Sequence, residues 1–97
     1  MRLVRVRAAS ALKRHRLRLQ LTTGQTVERD LSDVLNGPIF EPIRTDDRIF
    51  CDVRVEGGSV AWPNGADICP DVLIWGGPPP DEDRMPPETL RLKPQEP

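Results

Sequence analysis

Seven of the chain's eleven prolines fall in its last 22 residues, and that placement limits what can fold. Proline lacks a backbone N–H and fixes φ, so GGPPPDEDRMPPETLRLKPQEP excludes a long helix or a central strand. Few apolar side chains remain there to offset the entropy of ordering. Residues 76–97 are therefore expected to form an extended, disordered tail of polyproline character, and residues 1–75 the folded unit. A unit of that size buries only about 60 % of its unfolded surface, which leaves a single small domain with a small core. A chain of 97 residues excludes a large enzyme with its own cofactor domain. No run approaches the roughly 20 apolar residues of a membrane span. The N-terminal arginines have no apolar block behind them and do not read as a signal peptide.

The net charge of −1 averages two opposed parts. Residues 1–27 hold Arg2, Arg5, Arg7, Lys13, Arg14, Arg16 and Arg18 and no acid, whereas residues 28–97 hold seven bases and all fifteen acids. Alternation in the basic part predicts strands: Val4, Val6 and Ala8 on one face over residues 2–8, then Leu17, Leu19 and Leu21 over residues 16–22. Residues 10–13 read as their connection, and Gly24 as the turn into a third strand over residues 26–30. Leu31 to Leu35 read as a helical turn stopped by Asn36-Gly37. Ile39, Phe40 and Ile43 have helical spacing, limited to about one turn by Pro42. A fourth strand is expected over residues 50–55, a Gly57-Gly58 hairpin, and a fifth strand over residues 59–62. A loop over residues 63–67 then leads to a short helix over residues 70–75. The sum is α+β: an antiparallel β-meander plus a second β-hairpin with short helices, on a five-stranded open sheet.

Arg5, Arg7, Arg16 and Arg18 then share the outer face of the meander, opposite the leucines. Such a face serves as a solvated surface, as a dock for an acidic protein or the chain's own acidic tail, or as a phosphate contact. It lacks the aromatic rings on which sheet-type readers stack bases. His15, the only histidine, lies among cations with no acid within twelve residues, so it reads as a surface residue. Asp46-Asp47 reads as a turn and Asp81-Glu82-Asp83 as tail. Catalytic residues, metal ligands and a cofactor are not expected. Cys51 reads as a small core residue and Cys69 as the lead into the last helix, both reduced, which suits a cytoplasmic chain. Gly37-Pro38 and Phe40, with Trp62-Pro63-Asn64-Gly65 and Asp67, read as turn and anchor residues whose first service is to the fold. Trp62 and Asp67 also mark a candidate small-ligand site.

The order LxLxxxxG, Asp30-Leu31 leading to Leu35, GPIFEPI (37–43), Phe50, Val53-Arg54-Val55 and AWPNGADICPDVL (61–73) resembles a bacterial family, the domain of unknown function 2442. The resemblance covers about residues 2–75. It implies a compact α+β domain and an uncharacterised, antitoxin-like role proposed for members encoded beside a toxin. Some members carry a C-terminal helix-turn-helix; the proline-rich end here does not suit one, so DNA binding of that kind is not implied. The arginine-rich first strands also depart from the pattern. The family offers no catalytic residues to carry over. The expected function is a non-enzymatic protein-binding module, an antitoxin-like domain that masks a basic toxin with the acidic surface of residues 28–97. The alternative is a nucleic-acid-binding regulator using the arginine face. Open strand edges also allow a homodimer.

Overall fold

The computed structural model describes residues 4–81 and 84–94. Its elements run β1 (Val6–Leu12), β2 (Arg16–Leu21), β3 (Thr26–Asp30), α1 (Glu41–Thr45), α2 (Asp47–Phe50), β4 (Arg54–Glu56), β5 (Ser59–Ala61), β6 (Asp67–Ile68), α3 (Pro70–Trp75) and β7 (Thr89–Arg91). The architecture is α+β, with the meander and the second hairpin as expected. The single open sheet is corrected to two: β1-β2-β3-β7 and β4-β5-β6. β1 meets the small sheet where Val6 N–H donates to Gly58 O at 2.8 Å. Among the described residues no helix is long and apolar enough to cross a membrane.

The core lies between the sheets and α3. Leu17, Leu19 and Leu21 of β2, Val27 of β3, Leu31, Leu35, Ile43, Leu73 and Ile74 are all essentially inaccessible. β1 begins later than the alternation suggests and runs through Leu12, with its register against β2 shifted between Val6 and Ala8. An extra residue reverses which side chains face inward. Ala8 is therefore exposed, while Ala9 and Ala11 pack against the core. Residues 50–55 are not one strand. Asp46 accepts a bond from Arg48 N–H at 3.0 Å, an N-cap that starts α2, so Phe50 ends a helix and Cys51 is exposed. The loop expected over residues 63–67 gives way to β6 at Asp67, which pairs with Ala61.

The largest departure is at the C-terminal end. Residues 76–97 were expected to lie outside the folded unit. Instead β7 pairs in parallel with β3 (Glu28 with Thr89, Arg29 with Leu90, Asp30 with Arg91), and Leu92 is fully buried. Proline forbids a central strand, but an edge strand donates on one side only, and Thr89-Leu90-Arg91-Leu92 contains none. The prolines confine themselves to the connection and the flanks.

Among the described residues, Arg29 is the one charged residue with no exposed surface. It occupies the inward face of β3 between Val27 and Leu31. Its Nε donates to Leu73 O at 2.7 Å, Nη2 to Ile74 O at 2.9 Å and Nη1 to Glu28 O at 2.7 Å. Leu73 and Ile74 lie in the last turn of α3, whose carbonyls lack helical partners and carry the negative end of the helix dipole. α3 has no basic residue of its own there, so β3 supplies the cation. Burial lowers the Arg29 guanidinium from its ordinary value to about 10, and it stays charged at neutral pH.

Candidate docking surface on the basic hairpin

The β1–β2 connection is made by residues 13–15, and both Arg14 (φ 60°) and His15 (φ 58°) sit in the left-handed region. Residues other than glycine rarely adopt it, because Cβ crowds the following carbonyl, with asparagine, aspartate and histidine the commonest exceptions. Tertiary contacts hold His15 there. His15 Nε2–H donates to Arg44 O at 2.8 Å, and the ring meets Phe50 edge-on at 5.5 Å. Leu31 N–H donates to His15 O at 2.9 Å. His15 is thus a half-buried bolt between the hairpin tip and the helices rather than a free surface residue.

The tip presents Lys13, Arg14 and Arg16, all exposed, around a shallow notch whose remaining wall is Asp30. Arg16 is held by its own neighbourhood: Nε donates to Lys13 O at 3.3 Å and Nη1 lies 3.6 Å from Glu28 Oε1. Arg18 stands two residues along the same outer face, opposite Glu28, as Arg16 stands opposite Asp30. Desolvation pushes the Asp30 carboxyl up, but bonds from the Ser32 hydroxyl and N–H, with the charges of Arg91 and Arg16, outweigh it. The carboxyl is left below the ordinary carboxylate value. The outer face therefore alternates in sign from strand to strand instead of forming one basic sheet.

The four arginines singled out from the sequence do not converge. Arg16 and Arg18 share the outer face of β2. Arg7 is exposed within the irregular step of β1. Arg5 lies elsewhere: its stem covers Gly58, where an added Cβ would come within 2.6 Å of Cδ. Its Nη1 donates to Val4 O at 2.9 Å and stands 3.9 Å from Asp71. Among the described residues, Arg7, Lys13, Arg14 and Arg18 have no ion-pair partner within 4.0 Å. These four, with Arg16, are the cations that the first two strands and their connection offer a partner.

The turn signature behaves as a scaffold. Trp62 is 2 % exposed, and its indole N–H donates to Phe50 O at 3.0 Å. Gly65 N–H closes the turn onto Trp62 O at 3.0 Å, with Pro63 and Asn64 at its centre and Gly65 at φ 93°. The Asn64 amide donates to Ile39 O at 2.8 Å and its carbonyl accepts from Ala66 N–H at 3.1 Å, tying this loop to the segment after Gly37-Pro38. Phe40 meets Trp62 edge-on at 6.2 Å. Asp67 is exposed, with no side-chain hydrogen bond among the described residues. A ligand site between Trp62 and Asp67 finds no accessible indole. Arg29 was legible in principle, since alternation from Val27 to Leu31 places it inward; the strained pair at 14 and 15 carries no sequence signal. Among the described residues no three His, Cys, Asp or Glu side chains group as metal ligands.

No curated protein matches the chain. A solved structure from Nitrosomonas europaea, described as a Putative DNA Binding Protein, is 34 % identical with a TM-score of 0.56, covering 63 % of this chain and 41 % of that one. The chain thus spans about two fifths of that protein's length. The family described as proteins of unknown function, DUF2442, matches residues 6–79, from the start of β1 past the end of α3, and the chain belongs to that family.

Proposed function

We propose that the domain is a non-enzymatic protein-binding module that docks a partner protein's surface of mixed charge, acidic opposite Lys13, Arg14 and Arg18, on the tip and outer face of the β1–β2 hairpin, in an antitoxin-like role. The observation that carries this is the pair of non-glycine residues in the left-handed region, of which His15 is bolted in place by Arg44 O, Phe50 and Leu31 while Lys13, Arg14 and Arg18 stay unpaired. Backbone strain persists where surrounding structure over-determines it, and it concentrates at functional sites. The alternating signs of Arg16, Arg18, Glu28 and Asp30 suit a mixed protein surface. A phosphate backbone would meet Glu28 and Asp30 as repulsion.

Co-expression with the product of the adjacent gene tests the reading. A complex that co-purifies at low salt and is lost in the Arg14→Glu/Arg18→Glu double variant is the expected result. No complex with the native chain overturns it. A second reading, nucleic-acid binding through the same hairpin, draws on the Nitrosomonas protein's description. It requires duplex affinity that falls with salt by a log–log slope of about −0.9 per phosphate neutralised.

A further inference from the structure

The outer edge of β3 accepts a strand, and the chain displays what fits it. Glu28 N–H donates to Glu88 O at 2.7 Å, and Leu92 N–H to Asp30 O at 2.9 Å, with β7 in parallel register between them. Leu92 is wholly buried, and Leu90 Cδ2 lies 3.1 Å from where a Cβ on Gly76, the C-cap of α3, would stand. Between the leucines, Arg91 forks onto Asp33 with bonds of 2.8 and 3.0 Å. The β3 edge, Asp33 and Gly76 lie within the family match at residues 6–79, whereas the strand that pairs with them lies outside.

We infer that the β3 edge is a binding site for an extended, parallel segment of a partner protein, bearing two leucines two residues apart with an arginine between them. Residues 88–92 occupy it in cis. Main-chain pairing supplies affinity, and alternate side chains supply selection, as in strand addition generally. The proline-rich connection holds the cis segment at an effective concentration of millimolar order, so it acts as a competitor that a partner strand displaces. The inference rests on the reading of the domain as a protein-binding module, but places this contact on the β3 edge, beside the hairpin tip rather than on it.

The test inserts a site-specific protease sequence after Asp81 in the full chain, cleaves it once folded, and adds fluorescent peptide MPPETLRLKP (residues 85–94). The expected result is a domain that keeps its circular dichroism and exchanges its cleaved segment for the peptide, read as a rise in anisotropy. The peptide with Leu92→Asp should bind roughly 100-fold more weakly. The Arg91→Ala peptide should bind roughly two- to fivefold more weakly. Unfolding on cleavage, failure to exchange, or equal binding of the Leu92→Asp peptide overturns the inference. So does a strand-swapped dimer as the main product, which would assign the groove to self-association. Any of these failures leaves the hairpin proposal standing if the Arg14→Glu/Arg18→Glu variant still loses its partner.

Discussion

Replacing Arg29 by methionine keeps an unbranched apolar stem and removes only the guanidinium. In the native protein that group donates to Leu73 O, Ile74 O and Glu28 O and has no exposed surface. Bonds from a charged donor contribute about 1.5–3 kcal/mol each. Against them stands desolvation: a guanidinium lowered to about 10 has lost roughly 3 kcal/mol of solvation relative to its ordinary state. The difference predicts a loss of about 1.5–6 kcal/mol, large beside the roughly 5–15 kcal/mol that holds an ordinary domain together. For a chain of this length the melting temperature should fall by at least about 6 °C. Arg29→Lys should recover less than half, because one ammonium cannot reproduce the planar fork that spans two successive helix carbonyls. Urea unfolding followed by circular dichroism at pH 7 is the assay, with an unchanged slope confirming that only stability moved. If Arg29→Met lies within about 0.5 kcal/mol of the native protein, burial of the charge offsets all its bonds, and the α3 anchor is no anchor.

Four further outcomes are expected. Arg14→Gly should raise stability by about 1 kcal/mol through relief of the left-handed backbone, yet weaken partner binding; a thermal melt beside a binding isotherm separates the two. Trp62→Phe should lose about 2–3 kcal/mol, since Phe50 O loses its donor and the core a ring, readable as a lower urea midpoint. Asp30 titrates below the ordinary carboxylate value, so its contribution is present above the unfolded value near 4 and is lost as pH falls through the folded one. The stability gap between native protein and Asp30→Asn should therefore shrink between pH 5 and about pH 2 in urea midpoints. Arg91→Ala, which removes an exposed two-bond pair with Asp33, should leave the urea midpoint almost unchanged.

Particular elements show how far local chemistry reached. β2 and β3 read directly from the chain because one face of each packs on the core, and a period of two records that burial. The ends of α3 were equally legible: Pro70 satisfies the first turn by lacking an N–H, and Gly76 takes φ 80° to end it. β1 misled by a residue because its irregular step is set by pairing with β2, which no alternation within β1 encodes. Residues 46–50 misled because Asp46 serves a turn and a helix N-cap with the same short side chain. The candidate surface was half legible: Arg16 and Arg18 follow from alternation, whereas Arg5 was drawn away by Gly58 and Asp71.

Composition and periodicity determined the leucine face of the meander, the ends of α3, the turn at Trp62-Pro63-Asn64-Gly65 and the basic character of the first hairpin, since each depends on residues within a few positions. Tertiary structure decided where Arg29 finds its carbonyls, what holds His15 in the left-handed region, and that residues 89–92 leave the proline-rich stretch to close the β3 edge. Each of those rests on partners roughly fifteen to sixty positions apart, whose attraction exists only once the chain has brought them together and excluded water.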